Sequence, residues 1–550
     1  MWKALFRFEF RYEARRLSTW AYCLFFLSAG LLSVAAPAGL FGSGTTDGDQ
    51  LANSPAKLLQ LAFFQQRLLI LLIPLFVGSP WFRDLKYGVQ PVLLSFQIRR
   101  VDYWLGKYLT GLALLLLCSA CLFTGFGLGS TLPGLMPELL VDNRPGAYLY
   151  PWLAVIFPNL LSLSAFCFLV TTRSRSLLPS FALVLVLLLL HILLQGLLVF
   201  EDWQFTAALL DPLGQHALQL ALRESESWSS LPLSSTYFLN QALWLGIGMA
   251  AWLFSLSKGG YFSSQDNKVK KRKADLSPAH IIPNPETAPY EQASPSGQFR
   301  ALTPFEFQHL LRQRSTWIIA GMGIVFVLFA ASRASLQHDF RLLPVSWEIL
   351  AFPKQVWQFV LSVFTFLQVG LLQQRARFWD MAQLEDSAAC PNWAFLSSKG
   401  LAIVLLQGLL LAALLLGSLG MQLYLGMTPQ LSYAITELLG VQWLHLIIWT
   451  AAAFFVHAVI RPAYLGFFVL LIGQMGIDQL QLIGLGRPVF AFNRMEVLSY
   501  SDLCGYDRQL GAFLLYKGYW MILAIALFLL ALLLQPRGQS PSLQLLRSRW

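Results

Sequence analysis

The sequence predicts an all-α integral membrane protein: twelve transmembrane helices as two parallel six-helix repeats, each starting with an amphipathic elbow helix. Three observations predict it. Of 550 residues, 56% are hydrophobic and 12% charged, and the mean hydropathy is +0.57; a soluble domain carries about 25% charged residues. Apolar runs such as 177–200 reach the roughly 20 residues that cross a bilayer. The stretch FEFRYEARRLSTW (8–20) returns as FEFQHLLRQRSTW (305–317), identical at seven of thirteen positions, and both copies lead into an apolar run.

Each copy reads as an interfacial elbow. Lys3, Arg7, Arg11 and Arg15 recur every fourth residue and share one helical face, with Phe6, Phe8, Phe10 and Tyr12 alongside. Cations then meet headgroups and aromatics meet acyl chains. In the closing Ser-Thr-Trp, the hydroxyl is expected to cap the following span and the Trp to sit at the interface.

Six spans are expected between Trp20 and Phe254 and six between Trp317 and Leu534. The second is interrupted by Gln65, Gln66 and Arg67, and the seventh is short. Lys and Arg gather in the N-terminal arm, after span 2 and at Arg173 and Arg175, whereas alternate loops lean acidic, as at Glu201 and Asp202. Positive charge marks the cytoplasmic side, so both termini are expected there. The net charge of +11 is therefore read by position, as topology and not as nucleic-acid affinity. The domains expected are 1–257 and 301–550, each a six-span half, joined by a basic, Ser- and Pro-rich linker at 258–300 whose composition favours disorder. No removable signal peptide is expected, since the first residues lack an apolar core segment.

Few residues suggest catalysis. The six cysteines are scattered; Cys118 and Cys121 form a C-x-x-C inside an apolar helix with no second ligand pair, so packing thiols are expected, not a metal site. His191 with Gln195, His445 with His457, and Asp478 near Gln474 are polar positions within spans. They are a relay set for an ion-coupled carrier, or, as expected here, hydrogen-bonding groups between helices.

After span 2 comes WFRDLKYGVQPVLLSFQIRRVDYWLGKYLTGL (81–112). Arg83, Asp84, Gly88, Leu93, Leu94, Ser95, Arg99, Tyr103, Gly106 and Lys107 resemble the pattern of membrane subunits of type 2 (ABC-2) ATP-binding-cassette exporters; Gln97 stands where that family has Pro. The resemblance implies a coupling helix that docks on a separate ATPase, with Leu93 and Leu94 as apolar anchors and Arg83, Asp84, Arg99, Arg100 and Lys107 setting register. The second half carries a shorter, more acidic counterpart, RFWDMAQLEDSAACPNWAFLSSKG (377–400), in which Arg377, Asp380, Glu385, Pro391 and Lys399 take the corresponding roles. Glu9, Arg15, Glu306 and Arg312 of the two elbows would fix each half at the interface. The stretches 211–252 and 499–520 resemble loops of a bacterial subfamily in which the permease is often fused to a zinc aminopeptidase, with Cys504 in place of Asn.

The chain has no G-x-x-x-x-G-K-[ST] loop and no H-E-x-x-H. The resemblance therefore implies no catalytic residue, metal or cofactor in this chain. ATP and Mg would belong to partner ATPase subunits, two copies or a pair. A fused peptidase is not expected, a separate zinc aminopeptidase is a candidate partner, and no nucleic acid is expected. The expected function is ATP-driven export across a bacterial inner membrane. The Leu-, Phe- and Trp-rich spans lean toward a lipid, glycoconjugate or amphipathic peptide as cargo. The alternatives are a twelve-span secondary transporter, against which the long loop after span 2 argues, and a non-transporting scaffold acting on a periplasmic enzyme or surface machinery.

Overall fold

The computed structural model describes residues 1–42, 51–96, 98–198, 200–224, 234–257, 294–334, 345–378, 381–388, 390–460, 462–477, 487, 489–494, 498–506 and 509–535. The linker residues 258–293, Gln97, Asp380 and Asp478 lie outside them. Among the described residues the secondary structure is helical, apart from one isolated bridge between Ser501 and Gly505. Among the described residues ten helices are long and apolar enough to cross a membrane, against the twelve spans expected; a bent pair would make an eleventh. The chain is an all-α, multi-pass membrane protein.

The chain divides into two compact units, Met1–Gln292 and Ala293–Trp550. In the first, α1 (Trp2–Ala14) leads into α2 (Leu17–Ala35), which ends in a π-helical turn to Leu40. Then follow α3 (Pro55–Lys86), the short α4 (Val89–Ser95), α5 (Arg100–Gly129), α6 (Pro145–Ser174) and α7 (Leu178–Leu197). Two short helices, α8 (Glu201–Leu210) and α9 (Gln215–Glu224), precede α10 (Ser235–Ser257). Ser54 starts α3 by accepting a hydrogen bond from the Lys57 amide, and Pro55 occupies the first turn, where its missing N–H costs nothing.

The second unit holds α11 (Pro295–Leu311), α12 (Arg314–Ala334), α13 (Ser346–Gln373), α14 (Arg375–Phe378), α15 (Ala382–Ser387) and α16 (Asn392–Tyr424). It ends with α17 (Leu431–Val459), α18 (Ala463–Ile477) and α19 (Gln509–Leu534). α11 begins inside the stretch 258–300 assigned to the linker: Pro295 follows a Ser294 cap that accepts from the Gly297 amide. α18 runs to the edge of the described residues, and 478–482, the rest of the span expected from 463 to 482, lies outside them.

Small residues set the closest approach in the first unit. A Cβ on Gly30 would collide with the Leu122 carbonyl, and one on Gly125 with that of Leu27. Backbones of α2 and α5 therefore touch, the arrangement small residues permit where lipid offers no hydrophobic drive between helices.

The elbows repeat in detail. Thr19 Oγ1 donates to Glu13 O (2.7 Å) and Trp20 Nε1 to Ala14 O (2.8 Å). Thr316 Oγ1 donates to Leu310 O (2.9 Å) and Trp317 Nε1 to Leu311 O (2.8 Å). This corrects the capping expectation: the hydroxyl donates backward to a carbonyl ending the elbow and does not cap the span, whose N-cap is Arg16 without a side-chain bond. Helix-end carbonyls lack intrahelical donors, and Thr and Trp supply them. A π-helical segment also interrupts both α6 (Trp152–Ile156) and α17 (Thr436–Gln442).

Candidate functional site

α1 buries its acidic edge. Glu9 and Glu13, one turn apart, are buried, while Lys3, Arg7, Arg11 and Arg15 are exposed. Arg83, in the last turn of α3, donates from Nη1 to Glu13 Oε1 (2.7 Å) and from Nη2 to Glu9 Oε2, and its guanidinium lies 4.1 Å from the Tyr12 ring centre. Lys107, in the second turn of α5 and 0% exposed, donates to Glu9 Oε1 (2.6 Å) and Pro80 O (3.0 Å). Its ammonium is also 2.6 Å from Asp84 Oδ2, which accepts from Tyr103 Oη at 2.9 Å.

Arg16 completes the set through Glu13 Oε2 (2.8 Å). Three cations thus meet three carboxylates, and the Lys107 ammonium has two hydrogen-bond acceptors and a second carboxylate in contact. A buried charge is tolerated when paired and hydrogen-bonded in this way. The network joins α1 to both ends of the α3–α5 connection.

Three of the residues given docking roles are bonded within the unit. Arg83 faces inward to Glu9 and Glu13, Lys107 to Glu9 and Asp84, and Asp84 to Lys107 and Tyr103, so the three offer little to a partner. The surface around α4 is instead apolar: Tyr87, Val92 and Phe96 are 65, 58 and 61% exposed. Gly88 holds the left-handed conformation (φ 63°) that turns the chain into α4. Leu93 is half-buried, and the Leu94 side chain is outside the described set. Arg99 and Arg100 are exposed, as are the elbow residues Arg15 and Arg312.

The second unit keeps part of the pattern. Glu306, buried on α11, receives two hydrogen bonds from Arg375, both 2.7 Å. Arg377, the coupling candidate two residues on, is exposed and lines a cavity of about 80 Å³ with Glu385, Lys399 and His457. Lys399 is buried and donates to Glu385 Oε1 at 3.2 Å. Pro391 is the N-cap of α16. Met381, Leu384 and Trp393 are exposed apolar residues here.

Within the apolar bodies, His191 pairs with Asp211 and not with Gln195, which is exposed. Asp211 Oδ1 receives His191 Nδ1 (2.7 Å) and the Leu213 amide (3.1 Å), and Oδ2 receives the His216 amide (2.9 Å). His216 Nε2 donates to His191 O (2.9 Å) and its ring stacks on His191 with centroids 4.5 Å apart and planes 7° from parallel. These donors hold the Asp211 carboxyl below the usual carboxylate range against the opposing pull of burial, while burial holds the His216 imidazole below its ordinary value. The three side chains are close enough to suggest a metal. Imidazole lone pairs lie in the ring plane, however, and two nearly parallel stacked planes do not converge on one ion. The trio is a latch that fastens the α8–α9 connection to α7.

His445 and His457 do not share a partner. His445 Nδ1 accepts from Lys517 (3.2 Å), which also donates to Asn493 Oδ1 (2.6 Å); His457 Nε2 donates to Phe366 O (3.0 Å). Glu13, Arg375, Asp211 and Lys517 escaped the sequence reading, whereas Tyr103 belongs to the pattern quoted after span 2. Only Glu13 carried a signal, its four-residue spacing from Glu9. No known protein-family model matches the chain, and no curated protein sequence matches it.

Proposed function

We propose that the chain is the membrane-spanning subunit of an ATP-driven exporter of the ABC-2 type. Two six-span halves, twelve spans in all, each begin with an elbow and form the pathway. Separate ATPase subunits supply ATP and Mg chemistry and dock on the segments 81–107 and 377–399. The membrane is a bacterial inner membrane, with both termini on the cytoplasmic side.

The observation that carries this reading is the ion network around Lys107. It fastens the elbow, the end of α3 and the start of α5 into one piece, while α4 between them presents Tyr87, Val92 and Phe96 outward. A rigid mount with an exposed apolar tip is what transmits a push from a bound partner to a pair of spans. The matched elbow bonds at Thr19 and Thr316 support reading the units as a repeat.

The test is co-purification in mild detergent from the native membrane, comparing wild type with Val92→Ser/Phe96→Ser. Recovery of a phosphate-loop ATPase with wild type and its loss from the variant supports the reading. Absence of any ATPase from the wild type, together with transport that collapses with a proton gradient, overturns it in favour of an ion-coupled carrier.

A further inference from the structure

The polar interruption in the second span has no part in the coupling machinery. α3 is buried at every residue from 68 to 78. Toward its Pro55 end, Lys57, Gln60, Phe64 and Arg67 are half-buried or exposed and recur at helical spacing, so they form one open strip. The strip stops at Arg67, about 18 Å along the helix from Pro55.

Arg67 makes no hydrogen bond and no salt bridge among the described residues, and its buried Nε has no acceptor. Gln66 beside it is 0% exposed, and neither of its amide atoms is hydrogen-bonded. Asp211 attracts Arg67 through space, but lies beyond ion-pair distance, and its oxygens are occupied by His191, Leu213 and His216. An unpaired guanidinium on a spanning helix is expensive and points to function. Its planar fork matches the oxygens of a phosphate or carboxylate.

We propose that Arg67 is the floor of a binding site for the anionic headgroup of a phosphate-bearing lipid; identifying that lipid as cargo rests on the exporter reading. Phosphate oxygens take the guanidinium fork, Lys57 marks the strip's outer end about 15 Å away, and Leu61 and Phe64 border the path for acyl chain. The strip has one cation at its floor and a second, Lys57, only at its outer end, with Gln60, Leu61 and Phe64 uncharged between them; this favours a single-headed amphiphile over an acidic peptide, which would need its charges matched along the groove.

The experiment titrates the purified full chain in detergent with dioctanoyl-phosphatidylglycerol, dioctanoyl-phosphatidylcholine and an acidic amphipathic peptide, read by thermophoresis. Phosphatidylglycerol is expected to bind about tenfold tighter than phosphatidylcholine, the size of one charge-assisted contact. Arg67→Gln brings the two within about twofold. Its melting temperature stays level or rises, because an unpaired charge has been removed, whereas a structural role for Arg67 predicts a fall. Inorganic phosphate must displace phosphatidylglycerol from the wild type where chloride at equal ionic strength does not, a readout that needs no variant. Equal binding of both lipids, a preference that survives Arg67→Gln, or tighter binding of the peptide overturns the proposal. Reconstitution with the co-purified ATPase separates cargo from bilayer lipid. ATP-dependent movement of labelled phosphatidylglycerol that Arg67→Gln abolishes marks cargo; intact binding without movement leaves the site standing and refutes the exporter reading.

Discussion

Lys107 Nζ lies 2.6 Å from Glu9 Oε1, across 98 positions of chain, with both side chains buried. An ammonium so placed is tolerable only while Glu9, Asp84 and Pro80 O all remain. The elbow is therefore part of the body of the first unit, held to it by charge.

Removing Lys107 leaves buried Glu9 with Arg83 alone and takes from Asp84 its close cation, leaving the Tyr103 hydroxyl. Lys107→Met is expected to destabilise the unit by about 3–5 kcal/mol, read as a lowered thermal midpoint in detergent. Adding Glu9→Gln and Asp84→Asn to it should recover much of that loss. A single variant that melts like wild type would mean the network does not bear on stability.

The two elbows should respond alike. Thr19→Val and Thr316→Val each delete one side-chain bond to a buried carbonyl at the elbow's end, a loss of about 1 kcal/mol apiece. A large cost at one site and none at the other would argue against equivalent elbows.

Gly125→Val places a branched side chain where the Leu27 carbonyl already stands. Overpacking of this kind costs about 1–3 kcal/mol and shifts backbone. Cross-linking between cysteines introduced on α2 and α5 should drop with it, while Gly127→Val, which meets nothing nearby, leaves both midpoint and cross-linking unchanged.

Acid should loosen the α8–α9 connection. His216 is held below its ordinary 6.5 by burial, and Asp211 below 3.8 by His191 and its neighbours against the opposing pull of burial. Both groups bind fewer protons folded than unfolded, so stability rises with pH. The His216 part is complete above about pH 6.5 and is lost as pH falls below it; the Asp211 part follows below about pH 4. The charged or titratable groups facing them are His191 on α7 and Arg67 on α3. Hydrogen exchange of residues 201–224 between pH 7.5 and 5.5 checks this. Exchange corrected for intrinsic rate should increase at low pH in wild type and less so in His216→Gln.

Much of the architecture was legible because it depends on local pattern. Apolar runs of bilayer length became helices, and the repeated Phe-Glu-Phe stretch became two helices with matching end contacts. The site was legible only in part. Glu9, Arg83, Asp84 and Lys107 stood out as residue types in a pattern, yet the pattern could not say whether they face a partner or one another. Arg375 and Arg377 are two residues apart on similar chain, and only the bend after Gln373 decides that Arg375 meets Glu306.

By itself the sequence determined membrane residence, helical class and the existence of the elbows, since each follows from hydrophobicity and spacing along neighbouring residues. Tertiary structure alone decided that Arg83, Asp84 and Lys107 are internal fastenings, that His191 belongs with Asp211 and His216, and that Arg67 has no hydrogen-bond or ion-pair partner among the described residues. The physical reason is the same in each case. The energy of a charge in an apolar body depends on which oxygen or nitrogen stands within about 3 Å of it, and that neighbour comes from chain tens of residues away.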